Sequence, residues 1–96
     1  MAKQAKQAPS SRIEPGQSQK FIYVGESIPN SIVVKNLGTT AAPFRLTSTS
    51  PGWLYYGRVG SRAGVFVSVE FPNGRFTVHN DGSKPIEVGG DGIRPA

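Results

Sequence analysis

The stretch FIYVGESIPNSIVVKNLGTTAAPFRL, residues 21–46, decides the fold because its pattern recurs further along the chain. Residues 66–88 read FVSVEFPNGRFTVHNDGSKPIEV. In both stretches an F-aliphatic-x-V strand leads to a Pro-Asn turn, a strand ending in Asn, a Gly-containing loop, a Pro and an apolar-x-apolar strand. We interpret each copy as a three-stranded meander. Neither could bury its apolar face alone, so the two copies are expected to pack together.

Short runs rich in β-branched and aromatic residues make up most of the chain after residue 18. Gly, Pro, Asn and Ser, which favour turns, separate these runs. No window shows an apolar period of helical length. The pattern predicts an all-β fold, a small antiparallel β-sandwich or barrel of about seven short strands. The runs are QKFIYV (19–24), SIVVKN (31–36), PFRLTS (43–48), WLYYGRV (53–59), GVFVSVE (64–70), RFTVH (75–79) and KPIEV (84–88).

The ends of the chain differ in composition from this central region. The first residues are mostly Ala, Gln, Ser, Pro and Lys, and Ile13 is their only branched or aromatic apolar residue. Such a segment buries too little surface to offset its ordering entropy. We therefore predict a basic extended arm over residues 1–18, a β-sandwich domain over 19–89 and a flexible C-terminal tail over 90–96.

The formal net charge of the 96 residues is +5, and the predicted arm concentrates it. Within residues 1–20, four basic residues stand against Glu14, a balance of +3. The arm could contact nucleic acid or an acidic surface through charge, lie over neighbouring subunits, or be simply solvated. The predicted arm contacts are Lys3, Lys6, Arg12 and Lys20.

Composition also narrows the cellular setting. The chain has no cysteine, which excludes disulfides, thiol nucleophiles and Cys-type zinc sites. The N-terminal residues lack the apolar core of a secretory signal, and no run of about 18 apolar residues could span a bilayer. We expect a protein made in a cytoplasm, without membrane contact.

The single histidine, His79, is the first candidate for catalysis. Aligning the two copies on Asn36 and Asn80 places His79 opposite Lys35, a residue that belongs in water. Alternation along the strand puts Phe76 and Val78 on the buried face and His79 on the other. We therefore expect a solvated strand residue. The carboxylates show no paired spacing, and Glu87 aligns with Arg45 as an outward charge pair. The sequence predicts no enzyme, cofactor or metal site.

Residues 50–64, SPGWLYYGRVGSRAG, combine aromatic residues with arginines between the two copies. This composition is typical of protein interfaces and also of single-strand nucleic-acid platforms, where bases stack on rings. It would equally suit aromatic residues packed into the core. The interface interpretation assigns partner contacts to Trp53, Tyr55, Tyr56, Arg58 and Arg62.

A cysteine-free β-sandwich with a basic arm and no catalytic cluster resembles the small accessory proteins of virus particles, the cement, decoration and minor capsid proteins of phages. The resemblance is one of type and layout along the whole chain. It implies a non-enzymatic structural protein that bridges subunits of a major capsid protein, as a homo-oligomer or as lattice-bound copies in the virion, after assembly in the host cytoplasm. The alternative is a small single-stranded nucleic-acid-binding protein with an OB-like barrel.

Overall fold

A computed structural model describes residues 10–23, 30–48, 54–69, 75–90 and 92–96, which form nine antiparallel strands in two packed sheets. Sheet A has the order β1-β8-β3-β6, and sheet B has the order β5-β4-β7-β2-β9. The strands are β1 (Ser11–Ile13), β2 (Ser18–Tyr23), β3 (Asn30–Asn36), β4 (Ala42–Thr47), β5 (Leu54–Val59), β6 (Gly64–Val69), β7 (Arg75–Asn80), β8 (Ile86–Gly89) and β9 (Ile93–Pro95).

This strand order is that of an eight-stranded jelly roll, two four-stranded sheets wound as Greek keys, with β9 added beside β2. The predicted all-β antiparallel sandwich is therefore confirmed. The OB-like barrel of the alternative interpretation is wrong, because that fold closes five strands into one barrel whereas these strands lie in two separate sheets.

The sequence repeat corresponds to a structural repeat of four strands, β1–β4 and β5–β8. The ladder β1·β8·β3·β6 of sheet A matches the ladder β5·β4·β7·β2 of sheet B when each strand is replaced by its equivalent. The pairing expected within each copy is wrong. Consecutive strands alternate between sheets, and among the described strands only β4 and β5 are consecutive and paired. Turn residues mark where a chain reverses, and a reversal can lead to the opposite sheet as readily as to a hairpin.

Two equivalent asparagines organise the turns at one end of the sandwich. Asn36 and Asn80 are 3% and 1% exposed. Each accepts a hydrogen bond from the glycine N–H two residues later, at 2.8 Å from Gly38 and 2.9 Å from Gly82. Each Nδ2 donates to the carbonyl four residues later and to the carbonyl at the end of the other half's first strand, at Val59 and Ile13 respectively. The Asn-x-Gly sequence thus has the same role in both halves.

The core fills the space between the sheets through strict alternation of buried and outward side chains. In β4 and β7 every second residue is buried, and Phe76 and Val78 face inward as predicted. A glycine is needed at position 57, directly opposite Phe44, because a Cβ there would come within 2.4 Å of the Phe44 ring. The buried apolar residues are Ile13, Phe21, Ile32, Val34, Ala42, Phe44, Leu46, Val59, Val67, Phe76, Val78, Ile86, Val88 and Ile93.

Parts of the predicted N-terminal arm and of the predicted C-terminal tail form strands of the sandwich. Ile13 is 2% exposed in β1, which pairs with β8. Ile93 is 1% exposed in β9, which pairs with β2. One large apolar side chain is enough to bring a short segment into the core when a sheet edge lies beside it. Residues 10–18 and 92–96 therefore belong to the fold, while residues 1–9 of the predicted arm lie outside the described residues.

Candidate functional site: two interaction surfaces

The predicted interface residues do not come together on one surface. Trp53 lies outside the described residues. Tyr55 turns inward, with its ring centroid 6.2 Å from that of Phe44. Tyr56 and Arg58 point outward from sheet B, whereas Arg62 lies in the turn between β5 and β6 with a positive φ of 53°. The reason is alternation: neighbouring residues of a strand point to opposite faces.

The predicted arm contacts are also distributed over different surfaces. Lys3 and Lys6 fall outside the described residues. Arg12 lies on β1 and forms an ion pair with Glu14, 2.7 Å between Nε and Oε2. Lys20 lies on β2 and points outward from sheet B. Their contacts with a partner stay a prediction.

The first candidate surface is the side of the sandwich formed by β5 and β6, which we call the β5–β6 side. A turn closed by the Ala63 N–H and the Gly60 carbonyl joins these strands, so their edges run along the same side. Three of the four large exposed apolar side chains among the described residues lie here: Leu54 at 51%, Tyr56 at 70% and Phe66 at 74% exposure. Phe66 lies outward on sheet A beside Val33 of β3.

The four sheet edges differ in how they are protected against pairing. Edge strands are usually kept from associating by shortness, charge, proline or irregular geometry. β1 has three residues including Arg12, β9 has three including Arg94 and Pro95, and β5 carries Gly57 and Arg58. β6, with the sequence GVFVSV, has six residues without charge or proline. It is the edge least protected against another strand.

Comparison of the halves sharpens this difference. The strand equivalent to β6 is β2, and β9 pairs with the outer edge of β2. In the described part of the chain, no strand pairs with the outer edge of β6. The pairing of β9 with β2 therefore shows how an additional strand could pair with the equivalent edge of β6.

The second candidate surface is the outward side of sheet B, which we call the basic face. Among the described residues it carries five basic side chains against one acid, Asp81, at the end of β7. The outward side of sheet A instead has Arg12 and Lys35 flanking Glu87 in one row. The five basic residues are Lys20, Arg45, Arg58, Arg75 and Arg94.

An ordered polar row crosses the middle of the basic face. The His79 ring lies 2.8 Å from Ser18 Oγ through Nδ1 and 3.0 Å from Thr47 Oγ1 through Nε2. Arg45 donates two hydrogen bonds to Asp81, at 2.7 and 3.1 Å. Burial lowers the pKa of His79 and the charge of Arg45 lowers it further, while Asp81 opposes both. Hydrogen bonding to Asp81 raises the pKa of Arg45.

His79 faces away from the core as predicted. It is half-buried and hydrogen-bonded on both ring nitrogens, so it is less exposed than the alignment with Lys35 suggested. The hydroxyl of Thr47 contacts the His79 ring where a catalytic dyad would have a carboxylate that orients the histidine. The expected pair of Arg45 and Glu87 is also wrong. These residues lie on opposite sheets, and Arg45 pairs with Asp81.

A cleft of about 210 Å³ opens at one end of the basic face. The polar residues that line it are Lys20, Thr47, Ser48, Arg75 and Thr77. Among the described residues, no group of three His, Cys, Asp or Glu side chains is placed to hold a metal ion. No helix long and apolar enough to cross a membrane occurs in the same part of the chain.

Comparisons with known proteins identify the fold alone. No family model matches the chain, and no curated protein does. Among solved structures, Drosophila melanogaster CENP-C bound to CAL1 is similar with a TM-score of 0.50 and 8% identity over 100% of this chain and 69% of that one. Oxalate oxidase in complex with the substrate analogue glycolate matches at a TM-score of 0.46 and 12% identity, over 88% of this chain and 43% of that one.

Proposed function

We propose that the chain is a non-enzymatic structural protein that joins protein subunits into an assembly, and that copies of the chain associate through β6. The observation that carries the proposal is the uncharged edge of β6, with which no other described strand pairs on its outer side, together with Phe66, which is 74% exposed. An edge of this kind is a template for another strand, since its outer backbone groups can extend the sheet.

The occupant we propose for this edge is β6 of a second copy. Two antiparallel β6 strands related by a two-fold axis would join two four-stranded sheets into one continuous sheet. A register that sets Phe66 near its own copy would bury both rings beside Val33. The absence of charge in residues 64–69 removes the repulsion that two identical edges would otherwise share.

The setting we propose is a virus particle, in which a small sandwich bridges capsid subunits. Support comes from the small all-β domain and from the basic composition of the N-terminal residues. A domain with a limited core gains stability when assembly buries its exposed apolar side chains. Sedimentation of the native protein from its source tests this setting: it should travel with a large particle, and migration as a free protein would contradict it.

The association itself is tested by Phe66→Lys. We expect sedimentation velocity to show a monomer–dimer equilibrium for the unchanged protein over a wide range of concentration. Because two-fold symmetry removes both rings at once, the variant should dimerise about a hundredfold more weakly. Phe66 is mostly exposed, so the free energy of unfolding of the monomer should change by less than about 0.5 kcal/mol.

Leu37→Lys is the matched control, since Leu37 is also exposed, at 41%, but lies in the turn after β3. This variant should dimerise like the unchanged protein. A protein that stays monomeric at every concentration would overturn the proposal. So would equal loss of association in both variants, because the effect would then reflect added charge in general.

A further inference from the structure

The basic face carries charge that association through β6 does not use. In the part of the chain that the structure describes, five basic residues and one acid lie on the outward side of sheet B, whereas basic and acidic residues alternate in one row of sheet A. Like charges on neighbouring strands destabilise a sheet, and their repulsion opposes compact folding. The excess of basic over acidic residues gives the described part of this face a net positive charge, which attracts anionic ligands.

Three of the basic residues converge around Ile22. Arg75 of β7 and Arg94 of β9 are both directly opposite Ile22, one on each side of it. Lys20 lies two residues before Ile22 on the same face, so it is a diagonal neighbour of both arginines at about 7–8 Å between Cα atoms. Long flexible side chains at these spacings can reach one anionic group above the half-buried Ile22.

Hydroxyl groups extend this cluster toward the cleft. Thr47, Thr77 and Lys20 follow one another across β4, β7 and β2 in one row. The same three residues and Arg75 line the cleft of about 210 Å³. Guanidinium forks, an ammonium group and hydroxyl donors together match the several oxygens of a phosphate group better than the two oxygens of a carboxylate.

An aromatic ring lies on the same face beyond the polar row. Tyr56 is 70% exposed and opposite Arg45, three strands away from Lys20 in the sheet order. With about 4.8 Å between strands and an offset of two residues along them, Tyr56 lies roughly 16 Å from Lys20, within reach of a short extended polymer. An exposed ring beside phosphate-binding groups suits a polymer that presents both phosphates and unpaired bases.

We propose that the basic face binds single-stranded nucleic acid, with Lys20, Arg75 and Arg94 contacting backbone phosphates and Tyr56 stacking on a base. Tyr56 points outward from sheet B whereas Phe66 points outward from sheet A, so this site uses a different face of the sandwich from association through β6. Bases in a duplex are paired and stacked on each other, so only a single strand offers a base face to Tyr56.

The test measures fluorescence anisotropy of a labelled single-stranded oligonucleotide at low salt. The double variant Lys20→Ala/Arg94→Ala should bind about tenfold more weakly, since exposed charged contacts each contribute up to about 1 kcal/mol. With three phosphate contacts, log K should fall with log salt at a slope of about −2 for the unchanged protein, and less steeply for the variant.

The matched control is Lys35→Ala/Arg12→Ala, which removes the same two residue types from the outward side of sheet A. Both double variants lower the net charge equally, and equal melting temperatures would show that both fold. The control should bind as the unchanged protein does. Equal weakening in both double variants would overturn the site, because binding would then depend on net charge alone.

Competitors and Tyr56 variants separate nucleic acid from other anions. Tyr56→Ala should weaken binding and Tyr56→Phe should retain it. Inorganic phosphate, poly-glutamate and duplex of the same sequence should compete poorly at matched ionic strength. Full competition by phosphate would identify a free-phosphate site, and by poly-glutamate a general acidic-polymer site. Full competition by duplex, or unchanged affinity in Tyr56→Ala, would overturn the assignment to single strands.

Discussion

The two halves of the sandwich, β1–β4 and β5–β8, share their interior and differ at their edges. Asn36 and Asn80 hold equivalent turns with the same hydrogen bonds, and their strands pair in equivalent orders. At the edges, β9 pairs with β2, while the equivalent strand β6 stays open among the described strands. The shared interior is what the fold requires, so the features that differ are the better candidates for binding.

The turns that open each half show a second difference. Gly16 has a φ of +78° in the turn closed by Gln17 N–H and the Glu14 carbonyl, where Pro15 precedes it. This is the arrangement of a type II turn, which favours glycine at its third position. In the second half Arg62 holds the equivalent position with a φ of +53°. L-residues other than glycine rarely adopt this conformation. The presence of Arg62 here therefore indicates that stability alone does not determine the residue in this turn.

The largest expected effect comes from removing the shared asparagines. Asn36 Nδ2 donates to the carbonyls of Thr40, Val59 and Gly60, while Asn80 Nδ2 donates to those of Ile13 and Lys84. Asn36→Ala should lower the free energy of unfolding by about 3 kcal/mol and Asn80→Ala by about 2 kcal/mol, because buried acceptors lose their donors. Urea denaturation measures both values.

Thr40→Ala is the control, since Thr40 is exposed and contributes its backbone carbonyl to Asn36, which the substitution retains. It should change stability by less than about 0.5 kcal/mol. A loss below about 1 kcal/mol in both asparagine variants would contradict the idea that these residues hold the two halves.

Exchanging the turn residues should have a smaller effect, with opposite signs in the two halves. Gly16→Ala should lower the free energy of unfolding by about 1 kcal/mol through the backbone alone, since nothing lies within 4 Å of the added Cβ. Arg62→Gly should raise it by about 0.5–1 kcal/mol by relieving the positive φ of Arg62. Thermal unfolding of the two variants measures both changes in stability.

Ser61→Gly separates this backbone effect from general flexibility, because Ser61 precedes Arg62 in the same turn without a positive φ. It should lower stability, since glycine adds entropy to the unfolded chain without relieving strain. Stabilisation by Ser61→Gly, or destabilisation by Arg62→Gly, would show that the conformation of Arg62 is not strained.

The sequence predicted the interior of the fold well and its connections poorly. Alternation gave the buried faces of Phe76 and Val78, and the repeated Asn-x-Gly pointed to equivalent turns. Alternation reports which side chains are buried, and it carries no information on which strand lies beside which. The strand pairing within each half was therefore wrong although the repeat exists.

The β6 edge was missed because of a one-residue shift. The sequence comparison set FVSV of the second copy on FIYV of the first, which makes Phe66 the equivalent of Phe21. In the structure Phe21 is 1% exposed, whereas Val67 faces the core and Phe66 is 74% exposed. A shift of one residue turns every side chain to the other face. The usable signal was GVFVSV itself, six residues without charge or proline.

The basic face could not be predicted because it is assembled from strands that are distant in the sequence. Lys20, Arg75 and Arg94 are neighbours only through the pairing of β2 with β7 and β9. Read along the chain, the charge concentrates in residues 1–20. The structure instead places Arg12 on sheet A and Lys20 on sheet B, which divides the predicted basic arm between two surfaces.

The smallest expected effect on stability concerns His79. This histidine titrates near neutral pH and holds the position in the second half that Lys35 holds in the first. Burial and then Arg45 lower the pKa of His79, so the unfolded chain takes up this proton before the folded one as the pH falls. The free energy of unfolding should therefore be highest above about pH 6.5 and decline as the pH falls through and below that value. Urea denaturation between about pH 7.5 and pH 5.5 measures the slope.

His79→Gln should flatten this slope, because the chain has no other histidine and histidine is the side chain whose ordinary pKa lies in this pH range. The glutamine amide offers a donor and an acceptor to Ser18 and Thr47, so stability at neutral pH should change little. Stability that rises as the pH falls would mean that Asp81 stabilises the imidazolium more than burial and Arg45 disfavour it. His79 in the second half would then carry a positive charge, as the equivalent Lys35 does in the first half.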